Sequence, residues 1–259
     1  MSTLGLARKA VKKYQREGLR PVCRSAVRQA KTVARSDMLF KRVTAVRYRV
    51  QRLRYDAPAD PYKVINIPTD EIERFNEAID TNRGLGIIKG GDWDAPENCA
   101  PIRSTTHYRG LKQRFQEGDE WEDTEYYQQR KHSISEAETD RLAYVERLYH
   151  DIRDNGYRPN HRAAHDAPDI DGRQSQFQHL HSLEPLVLIA RDGEPFLAEG
   201  FHRLAIAKLV GVEEVPVNVL ARHAEWQQVR ERVHRFDGDV RAAGVAEYAD
   251  HPDLRDVID

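Results

Sequence analysis

Apolar residues recur at helical spacing among cations over the first fifth of the chain. Leu6, Ala10, Val11 and Tyr14 alternate with Lys9, Lys12, Lys13 and Arg16, and after Gly18 and Pro21 the pattern resumes from Val22 to Val33. This spacing predicts helix over 5–35. A third basic segment carries Phe40, Val43, Val46, Tyr48, Val50 and Leu53 among arginines. The prolines of Asp56-Ala-Pro-Ala-Asp-Pro61 then break the pattern and mark a domain boundary. Tyr62–Ile67 is rich in β-branched residues and reads as a strand. Thr69, with Asp70 and Glu71 behind it, is expected to open a helix reaching Ile79, since acids suit a helix N-terminus. Residues 84–94 read as a strand ending in a glycine turn, and 107–130 as a helix broken near Gly118. Glu136–Asn155 is the clearest helix, with Leu142, Val145, Leu148 and Ile152 on one stripe and Gly156 at its C-terminal cap. Residues 158–175 are polar and loop-like.

The C-terminal part is denser in signal. Leu186–Ala190 is an uninterrupted apolar run of the kind found in strands covered on both faces. Arg191-Asp-Gly-Glu194 is a hairpin turn, and Pro195–Ala198 the returning strand. Next come Gly200, the pair His202 and Arg203, a helix over 204–209 closed by Gly211, and a last strand over 217–220.

Composition adds an asymmetry. The 259 residues carry a net charge of −1, yet residues 1–54 hold 16 Lys and Arg against only Glu17 and Asp37. The remainder has 25 bases and 40 acids, so a basic arm precedes an acidic body. No apolar run approaches the ~20 residues of a membrane span, and the N-terminus lacks the apolar stretch of a secretory signal, so a cytoplasmic protein is expected, with the arm allowing a position peripheral to a membrane. Cys23 and Cys99 make neither a disulfide framework nor, alone, a zinc site. His161 and His165, with His179 and His181, could ligate zinc, but a loop context reads better as surface histidines.

The turn at Gly200 carries the candidate chemistry. A glycine between strand and helix lets the backbone approach a ligand closely. The helix start offers unpaired N–H groups and a positive dipole end, which suit an anion. Arg203 adds a forked cation and His202 a donor that titrates near neutrality. Gly200, Phe201, His202 and Arg203 are therefore the candidate phosphate or nucleotide site, with Glu199 or Glu184 as the carboxylate that would orient an acceptor or act as base. Upstream, Asp92 and Asp94, with Glu122 and Asp123, could hold Mg²⁺ against nucleotide phosphates, or could simply cap helices around Trp93 and Trp121.

The run from Arg191-Asp-Gly-Glu194 through Glu199-Gly-Phe-His-Arg-Leu-Ala-Ile-Ala-Lys208 to Val215-Pro-Val217 resembles the ParB/sulfiredoxin superfamily, over about residues 151–225. Members read Asp-Gly-x-His-Arg-Leu-x-Ala-Ala-Lys, then Gly and Ile-Pro-Val. The resemblance implies a small α/β nucleotide-binding fold with the Gly-x-His-Arg turn on the phosphates. It includes CTP-dependent partition proteins, sulfiredoxins and free-serine kinases. Sulfiredoxins carry a catalytic cysteine where this chain has Phe201, so reduction through that thiol is excluded. Partition proteins resemble Gly-x-Arg-Arg here and continue into a helix-turn-helix domain. His202 replaces the first of those arginines, and the 34 residues after Glu225 are expected to be too few for such a domain. Serine kinases carry an acid before the glycine, a position that Glu199 keeps.

The expected architecture is thus α/β. It has a basic, mostly helical arm over 1–54, a central α+β region over 55–150, and a ParB/sulfiredoxin-like module with a helical tail over 151–259. Two functions remain open. One is a phosphotransferase or nucleotide hydrolase at the Gly200–Arg203 turn, using ATP, ADP or CTP with Mg²⁺. The other is a non-catalytic, nucleotide-responsive protein that docks on nucleic acid or an anionic membrane through residues 1–54.

Overall fold

The computed structural model describes residues 38–131, 136–160 and 183–258. The expected helices over 5–35 and the four histidines between 161 and 181 lie outside the described residues. The architecture is mixed α/β.

Leu186–Ile189 forms strand β5, and all four residues are buried because both faces of the strand are covered. Leu186, Leu188 and Ala190 enter one apolar cluster, Val187 and Ile189 the other, as the two-residue period of a strand requires. Asp192 Oδ1 accepts from Glu194 N at 3.1 Å in the turn, and Gly193 takes φ 88°. The chain returns as β6, Pro195–Glu199, then forms a helix, Phe201–Val210, and the long strand β7, Glu214–His223. These elements stand where the hydrophobic pattern puts them, although β7 runs three residues further at each end than expected.

Four further strands come from the preceding region: β1 (Val64–Pro68), β2 (Arg74–Phe75), β3 (Ile87–Lys89) and β4 (Ala100–Pro101). Among the described residues all seven strands form one mixed sheet in the order β1-β7-β5-β6-β2-β4. Strand β3 pairs with the distal half of β7, Ile87 opposite Ala221, where β1 has left it. The sheet therefore joins chain from both sides of residue 150. Strand β2 replaces the helix expected over 69–79. Arg74 and Phe75 pair in parallel with Phe196 and Leu197, Asn76 N donates to Leu197 O at 2.9 Å, and the buried Asn76 amide donates to Trp93 O at 2.6 Å. An open edge on β6 and this side-chain clamp outweigh the local acid-capping signal, because backbone pairing on an apolar sheet removes more surface from water than a short exposed helix would.

Helices cover both faces. Helix α1, residues 38–54, is the described part of the basic arm, and it lies on the body. Phe40 enters the cluster of Leu85, Trp93, Leu188 and Phe196. Thr44 Oγ1 accepts from Leu85 N at 3.0 Å, and the Gln51 amide donates to Gly86 O at 2.6 Å. On the other face the first helix of the C-terminal part, numbered α5 in chain order, turns Leu204 and Ala207 to the sheet. Its opposite side, Ala205 and Ile206, meets a group of three helices: α2 (Thr106–Lys112), α3 (Glu125–Arg130) and α4 (Glu136–Asn155). Gly118, at φ 85°, breaks the 107–130 helix as expected, and Thr124 caps α3 by accepting from Tyr127 N at 3.3 Å. Helices α2 and α3 cross closely at Gly110, where a Cβ would lie 2.3 Å from that of Tyr126. After β7, helix α6 (Ala224–Arg235) packs Trp226, Val229 and Val233 on the sheet, and a last short helix, α7, spans Arg255–Ile258.

Candidate functional site

Strands β5 and β6 are antiparallel, so the start of one lies beside the end of the other. Asn218 of β7, itself buried, fixes this corner: its Oδ1 accepts from Glu184 N, and its N–H donates to Pro185 O, both at 3.0 Å. Pro185 then sits directly under Gly200. A Cβ at Gly200 would lie 2.9 Å from Pro185 Cβ, and the glycine takes φ 97°, ψ 27°. Both facts restrict the position to glycine. Helix α5 starts at the next residue with no side chain capping it, so its first-turn N–H groups and dipole end have no side-chain acceptor of their own.

The residues after Gly200 divide in direction. Phe201 stacks on His107 of α2 at 5.3 Å between centroids and meets Phe75 of β2 edge-on at 5.4 Å. His202 turns inward, its Nε2 3.0 Å from the Tyr126 hydroxyl and its ring 4.7 Å from that of His107. Burial, then the neighbouring His107, Arg141 and Arg130, hold its pKa well below the usual histidine value. His107 is likewise lowered to about 4, by burial and then by Arg130 and Arg141. Both rings are neutral at neutral pH, so the donor expected of His202 is a neutral imidazole engaged with a tyrosine. Arg203 also points to the protein: Nη1 donates to Glu184 Oε2 at 3.3 Å and Nη2 to Leu183 O at 3.0 Å. Glu184 is buried and also accepts from Asn160 N at 2.7 Å. Arg203 and Glu184 together therefore hold the segment before β5 against α5. The adjoining Tyr157 hydroxyl is pushed up to about 12, chiefly by burial.

Two further cations of this corner come from other helices. Arg130, at the end of α3, lies 4.0 Å over the Tyr126 ring. The positive charge of Arg141 on α4 helps to lower the pKa of His107 and His202 and opposes the rise at Glu199. Glu199 accepts from Gly200 N at 3.3 Å. Its carboxyl is raised above the ordinary value by the protein packed around it, although the residue itself is exposed, which limits that effect. The Gly200 N–H, Arg141 and Arg203 oppose that shift, and Glu77 adds to it. Sequence reasoning found Gly200, Phe201, His202, Arg203, Glu199 and Glu184, and the structure gathers them at one corner. It missed His107, Tyr126, Arg130 and Arg141, which have no motif of their own and arrive only through helix packing.

Asp92 and Asp94 lie at the other end of β6, beside the hairpin turn. Arg191 donates from Nη2 to Asp94 Oδ1 at 2.7 Å and to Asp92 Oδ1 at 2.9 Å, and from its backbone N to Asp94 Oδ2 at 2.9 Å. Burial alone would raise the Asp94 carboxyl, but these bonds bring it below its usual range. Glu122 and Asp123 are exposed at the start of α3. Among the described residues no group of three or more His, Cys, Asp or Glu side chains is placed to hold a metal ion. A cavity of about 700 Å³ opens at the far end of α5, lined by Thr69, Glu73, Arg103, Tyr108, Lys208 and Glu213. It mixes both signs of charge and lies a helix length from the glycine turn, so its size does not make it the anion site. No protein-family model, curated protein or solved structure matches this chain.

Proposed function

We propose that the Gly200 corner binds a phosphate group, most readily that of a nucleotide. The observation that carries this reading is the uncapped N-terminus of α5, behind a glycine that tolerates no side chain; the charges of Arg130 and Arg141, from two other helices, act on the histidines of the same corner. Backbone N–H groups and a dipole end attract an anion, and guanidinium charges of the same corner strengthen that attraction. The order of strand, Asp-Gly turn, strand, glycine, helix and strand supports the resemblance to ParB/sulfiredoxin modules, in which this turn holds phosphates. Phe201 and His107 add an aromatic wall on which a base could stack. Arg203 acts by positioning, because its fork is committed to Glu184 and the 183 carbonyl.

Glu199 is the carboxylate best placed to serve a transfer or hydrolysis step. It adjoins the turn, and its raised pKa brings it closer to the range in which a carboxylate accepts a proton usefully. Mg²⁺ carried by the nucleotide would find Glu199 as the carboxylate adjoining the turn.

Calorimetry against ATP, ADP and CTP, with and without Mg²⁺, tests the site. Arg141→Ala is expected to weaken binding by about ten- to a hundred-fold, as loss of one charge-assisted contact does. A bound phosphate should also raise the His107 pKa from about 4, followed by NMR of its imidazole protons. No heat with any nucleotide, or equal affinity in Arg141→Ala, rejects the site. Turnover that is lost in Glu199→Gln while binding persists identifies an enzyme.

A further inference from the structure

Helix α1 carries two distinct stripes. Phe40, Thr44 and Gln51 form the one that docks on the body. Leu39, Val43, Val46, Val50 and Leu53, spaced alternately four and three apart, form a second beside it. That stripe is bare: Leu39 is 62% exposed, Val46 59%, Val50 55% and Leu53 90%. Scattered apolar residues on a surface are ordinary, but five in line along one helix are not. Lys41, Arg42, Arg47, Arg49, Arg52 and Arg54 share the helix, which contains no acid. On an α-helical wheel Arg42 and Arg49 flank the stripe on the side away from the body. Among the described residues neither has a hydrogen-bond or ion-pair partner.

We propose that this face docks on an anionic lipid surface, with the Leu/Val stripe in the headgroup–acyl boundary and the flanking arginines on lipid phosphates. The charge pattern selects this occupant. A second copy would set one row of arginines against another with no acid to pair them, as like charges flanking a coiled-coil seam do. The chain's own residues 1–37, with 10 bases and 2 acids, meet the same repulsion. Nucleic acid would satisfy the cations and leave the stripe in water. A membrane surface satisfies both, as it does for interfacial basic amphipathic helices. This is independent of the nucleotide reading, since α1 lies across the sheet from α5.

Flotation of the full chain with vesicles tests it. Wild type is expected on vesicles of equal parts phosphatidylglycerol and phosphatidylcholine and not on phosphatidylcholine alone. Arg42→Gln with Arg49→Gln should weaken partitioning by about twenty-five-fold, taking roughly fivefold per arginine near an anionic surface. Val46→Asp with Leu53→Asp should abolish it, with an unchanged melting temperature because both sites face solvent. Several results would overturn the proposal. They are equal flotation with neutral vesicles, no flotation at all, and flotation indifferent to the apolar pair. So would binding to duplex DNA or RNA without binding to vesicles, or self-association in sedimentation that the apolar pair removes while vesicles remain unbound.

Discussion

Asp253 is buried between two guanidiniums. Arg222 donates to it at 2.8 and 2.5 Å, Trp226 Nε1 at 3.0 Å, and Arg230 lies 3.7 Å away while also binding Asp256. Burial by itself would raise this carboxyl, but the arginines hold it far below the usual carboxylate range. A carboxyl lowered on folding binds fewer protons in the native state, so its stabilisation is present above the unfolded value of ~3.9 and fades as pH falls below it. Asp253→Asn should therefore cost about 3 kcal/mol at neutral pH, because it leaves buried arginines uncompensated, and should flatten the loss of stability in acid. Urea denaturation of both proteins at neutral pH and near pH 3 measures this. Gly200 makes a second prediction at this scale. Gly200→Ala meets both a positive φ and Pro185, and is expected to lose about 1–3 kcal/mol. Thermal melts would show it, and an alanine variant as stable as wild type would mean that the corner is not as built.

Helix α1 depends on contacts with one loop. The Leu85 N–H is satisfied by Thr44 Oγ1, and Arg47 donates to Leu85 O at 2.8 Å and to Arg83 O at 2.6 Å. The side chains of a basic helix thus supply hydrogen bonds that the backbone of 83–86 cannot find in a sheet. Thr44→Val keeps the shape and removes the acceptor, leaving a buried N–H unpaired. Chemical denaturation should register a loss of about 1–3 kcal/mol, and Thr44→Ser should recover most of it. The element α5 shows the opposite economy of polar groups. Its four central residues, Leu204 to Ala207, are all buried, two against the sheet and two against the helices that carry His107, Arg130 and Arg141. Packing on both sides is what fixes the cations relative to the turn.

Across the whole molecule, β7 is the shared spine. It pairs with β1 on one side, β5 on the other, and β3 beyond the end of β1. A fragment of residues 151–259 would keep β5 on one edge of that strand but expose the edge covered by β1 and β3, bare the β2 edge of β6, and strip Ile65, Ile67 and Ile72 from the main cluster. It is expected to show no cooperative unfolding by circular dichroism and little amide protection. A sharp transition near the full-length melting temperature would mark it as an independent unit.

Local pattern was enough for the strands that are covered on both faces, the hairpin with its Asp-Gly turn, the stripe of Glu136–Asn155, and the glycine that starts α5. Each is set by near-neighbour chemistry: side-chain period, turn geometry and capping. The site residues adjoining Gly200 were legible for the same reason. The directions of His202 and Arg203 were not, because burial against Tyr126 and Glu184 decides them. Nor was the helix-to-strand change at 69–79, where an open edge of β6 overrode local preference. Arg191 on Asp94, 97 residues apart, and the charge of Arg141 acting on Glu199 are likewise long-range encounters. Charge acts through space and not along the chain, so only the tertiary structure could say which acids were already paired and which cations face the turn.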